Sequence, residues 1–333
     1  MIPFSVLDLA PIVEGGSAAE ALKNSADLAQ HCERFGYRRF WLAEHHNMPG
    51  IASSATSLAI MNAAAVTKTM RIGAGGIMLP NHAPIIIAEQ FGTLAALYPG
   101  RIDLGLGRAP GTDQRTAMAL RRTMVGGEDR FPQDVLELQA LLGPSEPRQP
   151  VRAVPGENSN VPLWILGSSL FGAQLAAALG LPFAFASHFA PAQMMDAIAI
   201  YRQTFRPSEQ LKKPYVMLGY NVFAADTDEA ARVLATSMMQ SFVALRRGFP
   251  RALQAPDPDF ESKMTEAEQA QLAGVRACSA VGSPATVKAA IAAFMARTGA
   301  DELIIASHIY DHAARVRSYE LAAKVRSELA SAV

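Results

Sequence analysis

Cysteine is nearly absent from this chain. Its 333 residues hold only Cys32 and Cys278, far apart and in no ligand-like spacing, so free thiols in a reducing compartment are expected. An excess of one charge is absent too. Thirty basic residues balance thirty acidic ones, a balance that implies no basic face, so neither nucleic acid nor an anionic membrane is expected as the main partner. Lysine is scarce and arginine supplies most of the positive charge, which suits fixed contacts to anions. No run approaches the roughly twenty uninterrupted apolar residues that a membrane span needs. The opening MIPFSVLDLAPI has neither a basic n-region nor a small-residue cleavage site. A soluble, cytoplasmic protein is the expectation. Internal repeats, low-complexity tracts and interdomain linkers are also missing, so residues 1–333 are taken as one domain.

What is present is apolar residue, half of the composition, enough for a sizeable core. Short aliphatic runs alternate with segments of helical period. FSVLDLA (4–10), RRFWLAE (38–44), MRIGAGGIML (70–79) and RIDLGLG (101–107) are predicted as the first four strands. PLWILG (162–167), LPFAFAS (181–187), PYVMLGYNVFA (214–224) and DELIIAS (301–307) are predicted as the next four. Helices are predicted over 17–36, with a Ser17/Glu20 capping box and a stop at Gly36, and over 55–68, 84–100, 168–180, 191–205, 226–247, 283–299 and 312–330. Residues 108–160 hold one predicted helix, about 113–142, and then GPSEPRQPVRAVPG (143–156), expected to pass over the barrel mouth. A second irregular stretch spans about 248–282.

Eight near-continuously apolar strands alternating with helices match an α/β fold, a parallel (β/α)8 TIM barrel with insertions after strand four and before the last βα unit. An open doubly wound sheet is the alternative. In such a barrel the chemistry collects where strands end. FWLAEHHNMPG (40–50) puts Glu44, His45 and His46 at the end of strand two. Adjacent histidines on a strand point to opposite faces, and no carboxylate-rich set accompanies them, so no metal site is expected.

Two other strand ends suggest an anion site. GLGRAPG (105–111) resembles a dinucleotide glycine loop, but Pro110 stands where the third glycine belongs. It does place Arg108 just past strand four. ILGSSLFGAQLAAALG (165–180) runs a strand through Gly167, Ser168 and Ser169 into a helix whose first N–H groups have no intrahelical acceptor. Neighbouring parallel strands lie about 4.8 Å apart, so Arg108 and the Ser168–Ser169 turn converge. Strand three carries glycines at 73, 75 and 76, which either bulge or admit a flat ligand to the backbone. A flat ring over Gly75–Gly76 with its phosphate at Arg108 and the turn describes a phosphorylated planar cofactor.

FWLAEHHN (40–47), RIGAGGIMLPNHAPIIIAEQF (71–91), YPGRIDLGLGRAPGTD (98–113), VPLWILGSSLFGAQLAAALGLPFAFA (161–186) and ADELIIASHIYDHAARVRSYELAAKV (300–325) together resemble the bacterial luciferase-like flavin monooxygenases, single-chain members of unassigned substrate. The likeness runs in order along the whole chain. It implies a barrel binding FMN, reduced by a separate flavin reductase, and using O2 on a small organic substrate. It implies a phosphate site at Arg108, Gly167, Ser168 and Ser169, and a non-proline cis peptide at Gly75–Gly76 beneath the flavin ring. His45 and His46 become the candidate catalytic pair, with His45 directed into the mouth as general base or proton shuttle and His46 into packing. Trp41, Met78, Trp164 and Phe189 are expected to wall the site. A homodimer is implied, packed through the helices after strands two and three. A deazaflavin-dependent hydride-transfer enzyme and a non-catalytic flavin-binding protein are the alternatives. In the luciferases a cysteine precedes the phosphate-binding arginine, whereas Gly107 stands here, so neither their substrate nor light emission is implied.

Overall fold

The computed structural model describes residues 2–109, 114–120, 130–145 and 150–331. The chain opens β1 (Phe4–Asp8), α1 (Ala18–Arg34), β2 (Arg39–Leu42), α2 (Thr56–Ala65), β3 (Arg71–Met78), α3 (Pro84–Leu97) and β4 (Ile102–Gly107). It continues α4 (Gln114–Leu120), α5 (Phe131–Leu142), β5 (Leu163–Gly167), α6 (Leu170–Leu179), β6 (Phe183–Phe185), α7 (Met194–Thr204), β7 (Val216–Ala224) and α8 (Asp228–Arg246). It closes with α9 (Glu266–Arg276), β8 (Ser279–Gly282), α10 (Pro284–Thr298), β9 (Glu302–Ala306) and α11 (His312–Ser331).

Local chemistry accounts for many of these bounds. The Ser17 hydroxyl accepts the Glu20 N–H while the Glu20 carboxylate accepts the Ser17 N–H, the reciprocal cap that starts α1. Gly180 and Gly299 end α6 and α10 with φ of 63° and 59°, a left-handed geometry that glycine adopts without steric penalty. Every strand pair is parallel, and β1 to β7 and β9 close into an eight-stranded barrel through the β6–β7 and β1–β9 pairings. Helices cover the outside, which is why β7 is buried along all nine of its residues.

The insertions depart from expectation. The stretch about 248–282, expected to be irregular, contains α9 and β8, and β8 pairs only with Asn221–Ala224, the outer half of β7. In place of one helix over about 113–142 there are α4 and α5; the expected segment 121–129 between them lies outside the described residues. Of the stretch 143–156, expected over the mouth, 146–149 lie outside the described residues, and its end at Pro155 and Gly156 lies against α3. Gly156 packs on Ala88 and Gly92 of α3, so closely that a Cβ on Gly92 would collide with the Gly156 backbone.

The barrel interior is layered. At its N-terminal end Arg39 pairs with Asp103 at 2.7 Å and Glu302 at 2.9 Å, and Arg71 Nε donates to Asp103 at 2.9 Å. Tyr215 Oη donates to Glu302 at 2.7 Å and Trp41 Nε1 to Asp103 at 3.2 Å. Above this lies an apolar layer of Leu7, Trp41, Trp164, Ala184, Met217 and Ile304. Trp41 and Trp164 meet edge to face at 5.1 Å, and the Arg39 guanidinium sits 4.8 Å over Trp164. Gly75 belongs to this layer, since a Cβ there would stand 2.7 Å from Leu7 Cδ1 and 3.2 Å from Trp41 Cβ. Its missing side chain is the room that Leu7 and Trp41 fill.

Candidate active site

The C-terminal ends of the strands form the mouth. Glu44, just past β2, is buried and organises two loops. Its carboxylate receives His46 Nε2 at 2.8 Å, the Met78 N–H at 2.9 Å, Asn81 Nδ2 at 3.1 Å and His82 Nε2 at 2.9 Å. Burial works against its charge, yet the hydrogen bonds from His82, His46 and Met78 outweigh burial and hold the carboxyl below its usual range. His46 therefore turns back onto Glu44. Its neighbour His45 lies close enough to His188 and His308 to disfavour protonation of both rings. Ser54 Oγ donates to the His45 carbonyl at 2.7 Å and anchors this turn.

β3 contains a cis peptide between Gly75 and Gly76, and its register with β4 shifts between Ala74 and Ile77. The Glu44 N–H donates to the Gly76 carbonyl at 3.2 Å, so the carboxylate anchor and this irregular bend are joined. On the next strands Gly107 pairs with Leu166, which sets Arg108 opposite Gly167. The Arg108 guanidinium reaches the start of α6 and lies 4.3 Å over the Phe171 ring. Ser169 is the N-cap of α6, but its side chain makes no capping hydrogen bond. The Ser168–Ser169 turn thus leaves the start of α6 without a side-chain cap, beside a cation.

Of the four residues expected to wall the site, Trp41 and Trp164 are instead buried in the barrel interior below the mouth. Phe189 is 42% exposed, packed on Phe242 and beneath Arg246. Asp8, at the end of β1, faces outward to Arg315 of α11 and accepts Ser25 Oγ at 2.5 Å. A cleft of about 480 Å³ opens between the 46–47 turn and α4, lined by His46, Asn47, Arg115, Thr116, Ala119 and Leu120.

A match to the luciferase-like monooxygenase family spans residues 2–302. The chain belongs to the luciferase-like monooxygenases. A luciferase-like monooxygenase of Escherichia coli (strain K12) is 54% identical to it, covering 98% of each chain. N-acetyl-S-alkylcysteine monooxygenase of Bacillus subtilis (strain 168) is 35% identical over 74% of this chain and 75% of its own. Among solved structures apo-MsnO8 matches with a TM-score of 0.90 and 34% identity, over 98% of this chain and 99% of that one. The oxygenating constituent of 3,6-diketocamphane monooxygenase from Pseudomonas putida, in complex with FMN, matches at 0.72 with 19% identity, over 97% of each. An F420-dependent secondary alcohol dehydrogenase matches at 0.68 with 16% identity, over 96% of this chain and 97% of that one. At these last two identities the likeness is one of fold.

His82 escapes a reading of this luciferase-like monooxygenase by sequence alone, since nothing in LPNHAP announces a carboxylate partner. Its one signal is position, four residues beyond the end of β3. His188 and His308 are visible as strand-end residues, but their convergence is not.

Proposed function

We propose that this protein is an FMN-dependent monooxygenase, with Arg108 and the Gly167–Ser168–Ser169 turn holding the FMN phosphate. The observation that carries the reading is the Arg108 guanidinium stacked on Phe171 at the start of α6, whose N-cap serine leaves the helix N–H groups uncapped. Guanidinium and helix N-terminus both favour a phosphate, through charge-assisted hydrogen bonds and the helix dipole. The isoalloxazine ring lies over Gly75 and Gly76 in this reading.

Bound reduced FMN, delivered by a separate reductase, supplies the electrons that activate O2. The chain's own residues bind and orient the flavin, exclude water and carry protons. His45 is the proton carrier, because imidazole exchanges protons near neutral pH. His46 acts through Glu44, which fixes its ring. The protein works as a homodimer in this reading, supported by Leu58 and Met61 of α2 and Ile86 and Leu97 of α3, large apolar side chains left exposed on the helices after β2 and β3.

The deciding experiment titrates the purified chain with FMN and with coenzyme F420 and follows reductase-coupled O2 uptake. Micromolar or tighter FMN binding with O2 uptake that responds to added substrate is expected. Binding of F420 in place of FMN would make it a hydride-transfer enzyme, and FMN binding without turnover on any substrate a flavin carrier.

A further inference from the structure

β7 runs between β6 and β9 in the barrel wall, so the residues that leave β6 and β9 at the mouth flank a single strand. Ser187 Oγ donates to the Gly219 carbonyl at 2.6 Å and Ser307 Oγ to the Val222 carbonyl at 2.5 Å. Each hydroxyl ties its departing chain to β7, and in both cases the next residue is a histidine. Asn221 Nδ2 donates to the His188 carbonyl at 2.8 Å. Beyond the histidines, Phe189 packs on Phe242 at 6.2 Å, and Ile309 is buried in the same apolar cluster with Met238 and Met239 of α8. Both rings are therefore held from both sides and brought together with His45.

The His188 ring lies over Gly219, where any Cβ would collide with Nδ1. Nδ1 of His188 and Nε2 of His308 are buried and have no hydrogen-bond partner among the described residues. A neutral imidazole carries one N–H and one bare nitrogen. Against the Gly219 Cα–H a bare Nδ1 makes a weak favourable contact, whereas an N–H there would be stranded. The His188 proton then belongs on Nε2, the nitrogen on the side of the ring away from Gly219. Burial, followed by His308 and His45, pushes His188 down to about 3. Burial and Arg315 lead in pushing His308 down to about 4, with Asp8 opposing. Arg315 is itself paired with Asp8, so no uncompensated charge stands behind the rings.

We propose that His188 and His308 are the polar anchor for the substrate, receiving an uncharged oxygen-bearing group, a carbonyl or a hydroxyl, on a small and otherwise apolar molecule. The anchor sets that group beside His45, and the apolar surroundings from α8 and Ile309 suit the remainder of the molecule. This rests on the flavin monooxygenase reading for its meaning in turnover, though the binding itself does not require it.

The test uses FMN-loaded protein with ¹⁵N-labelled histidine, titrated at pH 7 with cyclohexanone and with cyclohexanecarboxylate. Saturable shifts of the His188 and His308 ring signals by cyclohexanone are expected, with both rings staying neutral. His188→Phe should weaken cyclohexanone about five- to tenfold, the loss of one hydrogen bond, and leave FMN affinity unchanged. Gly219→Ala should displace the ring and weaken cyclohexanone likewise; it and His308→Phe serve if His188→Phe does not fold. Preferential binding of the carboxylate at these rings, or cyclohexanone binding indifferent to the substitutions, overturns the proposal. If FMN itself fails to bind, the flavin reading falls, and the same shifts read on the chain alone still decide the anchor.

Discussion

The guanidinium of Arg108 lies 4.3 Å over the ring of Phe171, so the residue that follows β4 is held against the first turn of α6. The stack fixes the plane of the guanidinium and leaves its edge for hydrogen bonding. Arg108→Ala should weaken FMN about ten- to hundredfold, as expected for a lost charge-assisted contact of roughly 1.5–3 kcal/mol. Arg108→Lys keeps the charge without the stack and should fall between. Quenching of flavin fluorescence measures both, and a folded Arg108→Ala protein with unchanged affinity would remove the phosphate assignment.

His45 and His46 should separate cleanly. His45→Ala is expected to keep FMN affinity and slow substrate-coupled turnover by about 10²–10⁴, the range for loss of a general acid–base group. His46→Ala removes one of the hydrogen bonds to the buried Glu44 carboxylate and should lower stability by about 1–3 kcal/mol. Equal effects of the two variants on turnover, with equal denaturation midpoints, would contradict the division.

Arg39 neutralises two buried carboxylates at the closed end of the barrel, Asp103 and Glu302. Removing it as Arg39→Ala leaves Asp103 to Arg71 but takes from buried Glu302 the guanidinium that pairs with it, and should cost about 3–5 kcal/mol in urea unfolding. FMN affinity in the folded fraction should not change, since the network lies at the opposite end from the strand-end loops. A loss under 1 kcal/mol would mean that water reaches the cluster.

Stability should fall in acid. The imidazoles of His188 and His308 take up protons near 6.5 when unfolded but only at about 3 and about 4 when folded. Below about pH 6.5 the unfolded chain therefore binds more protons, and stability declines as pH drops toward 4 and then 3. Each group contributes a slope of up to about 1.4 kcal/mol per pH unit. The His188→Phe/His308→Phe double variant should flatten this slope between pH 4 and 6.5; an unaltered slope would assign the acid sensitivity to other groups.

If the protein is the homodimer proposed above, Leu58→Glu on α2 should convert it to monomer by placing a carboxylate on an apolar face. Light scattering at micromolar concentration gives the answer, and a wild-type monomer would dispose of the dimer altogether.

Much of this molecule is decided locally. The Ser17–Glu20 box, the left-handed Gly180 and Gly299 and the apolar strand runs follow from short-range sterics and hydrogen bonding, which the sequence by itself determines. The meeting of Arg108 with the start of α6 was legible as well, because consecutive parallel strands are neighbours and their ends share a level. β8 was not: four residues, Ser279–Gly282, carry too little pattern, and they form a strand only because the outer half of β7 extends beyond its pairing with β9. Nor was the filling of the space beside Gly75 by Leu7 and Trp41, since a missing Cβ says nothing of whether a ligand or a neighbouring side chain takes its place. Tertiary structure alone brings His82 to Glu44, and His188 and His308 to opposite sides of β7. The first pair is 38 positions apart and meets because β2 and β3 are neighbours; the second is 120 positions apart and flanks β7 only once the barrel has closed and set β6 and β9 on either side of it.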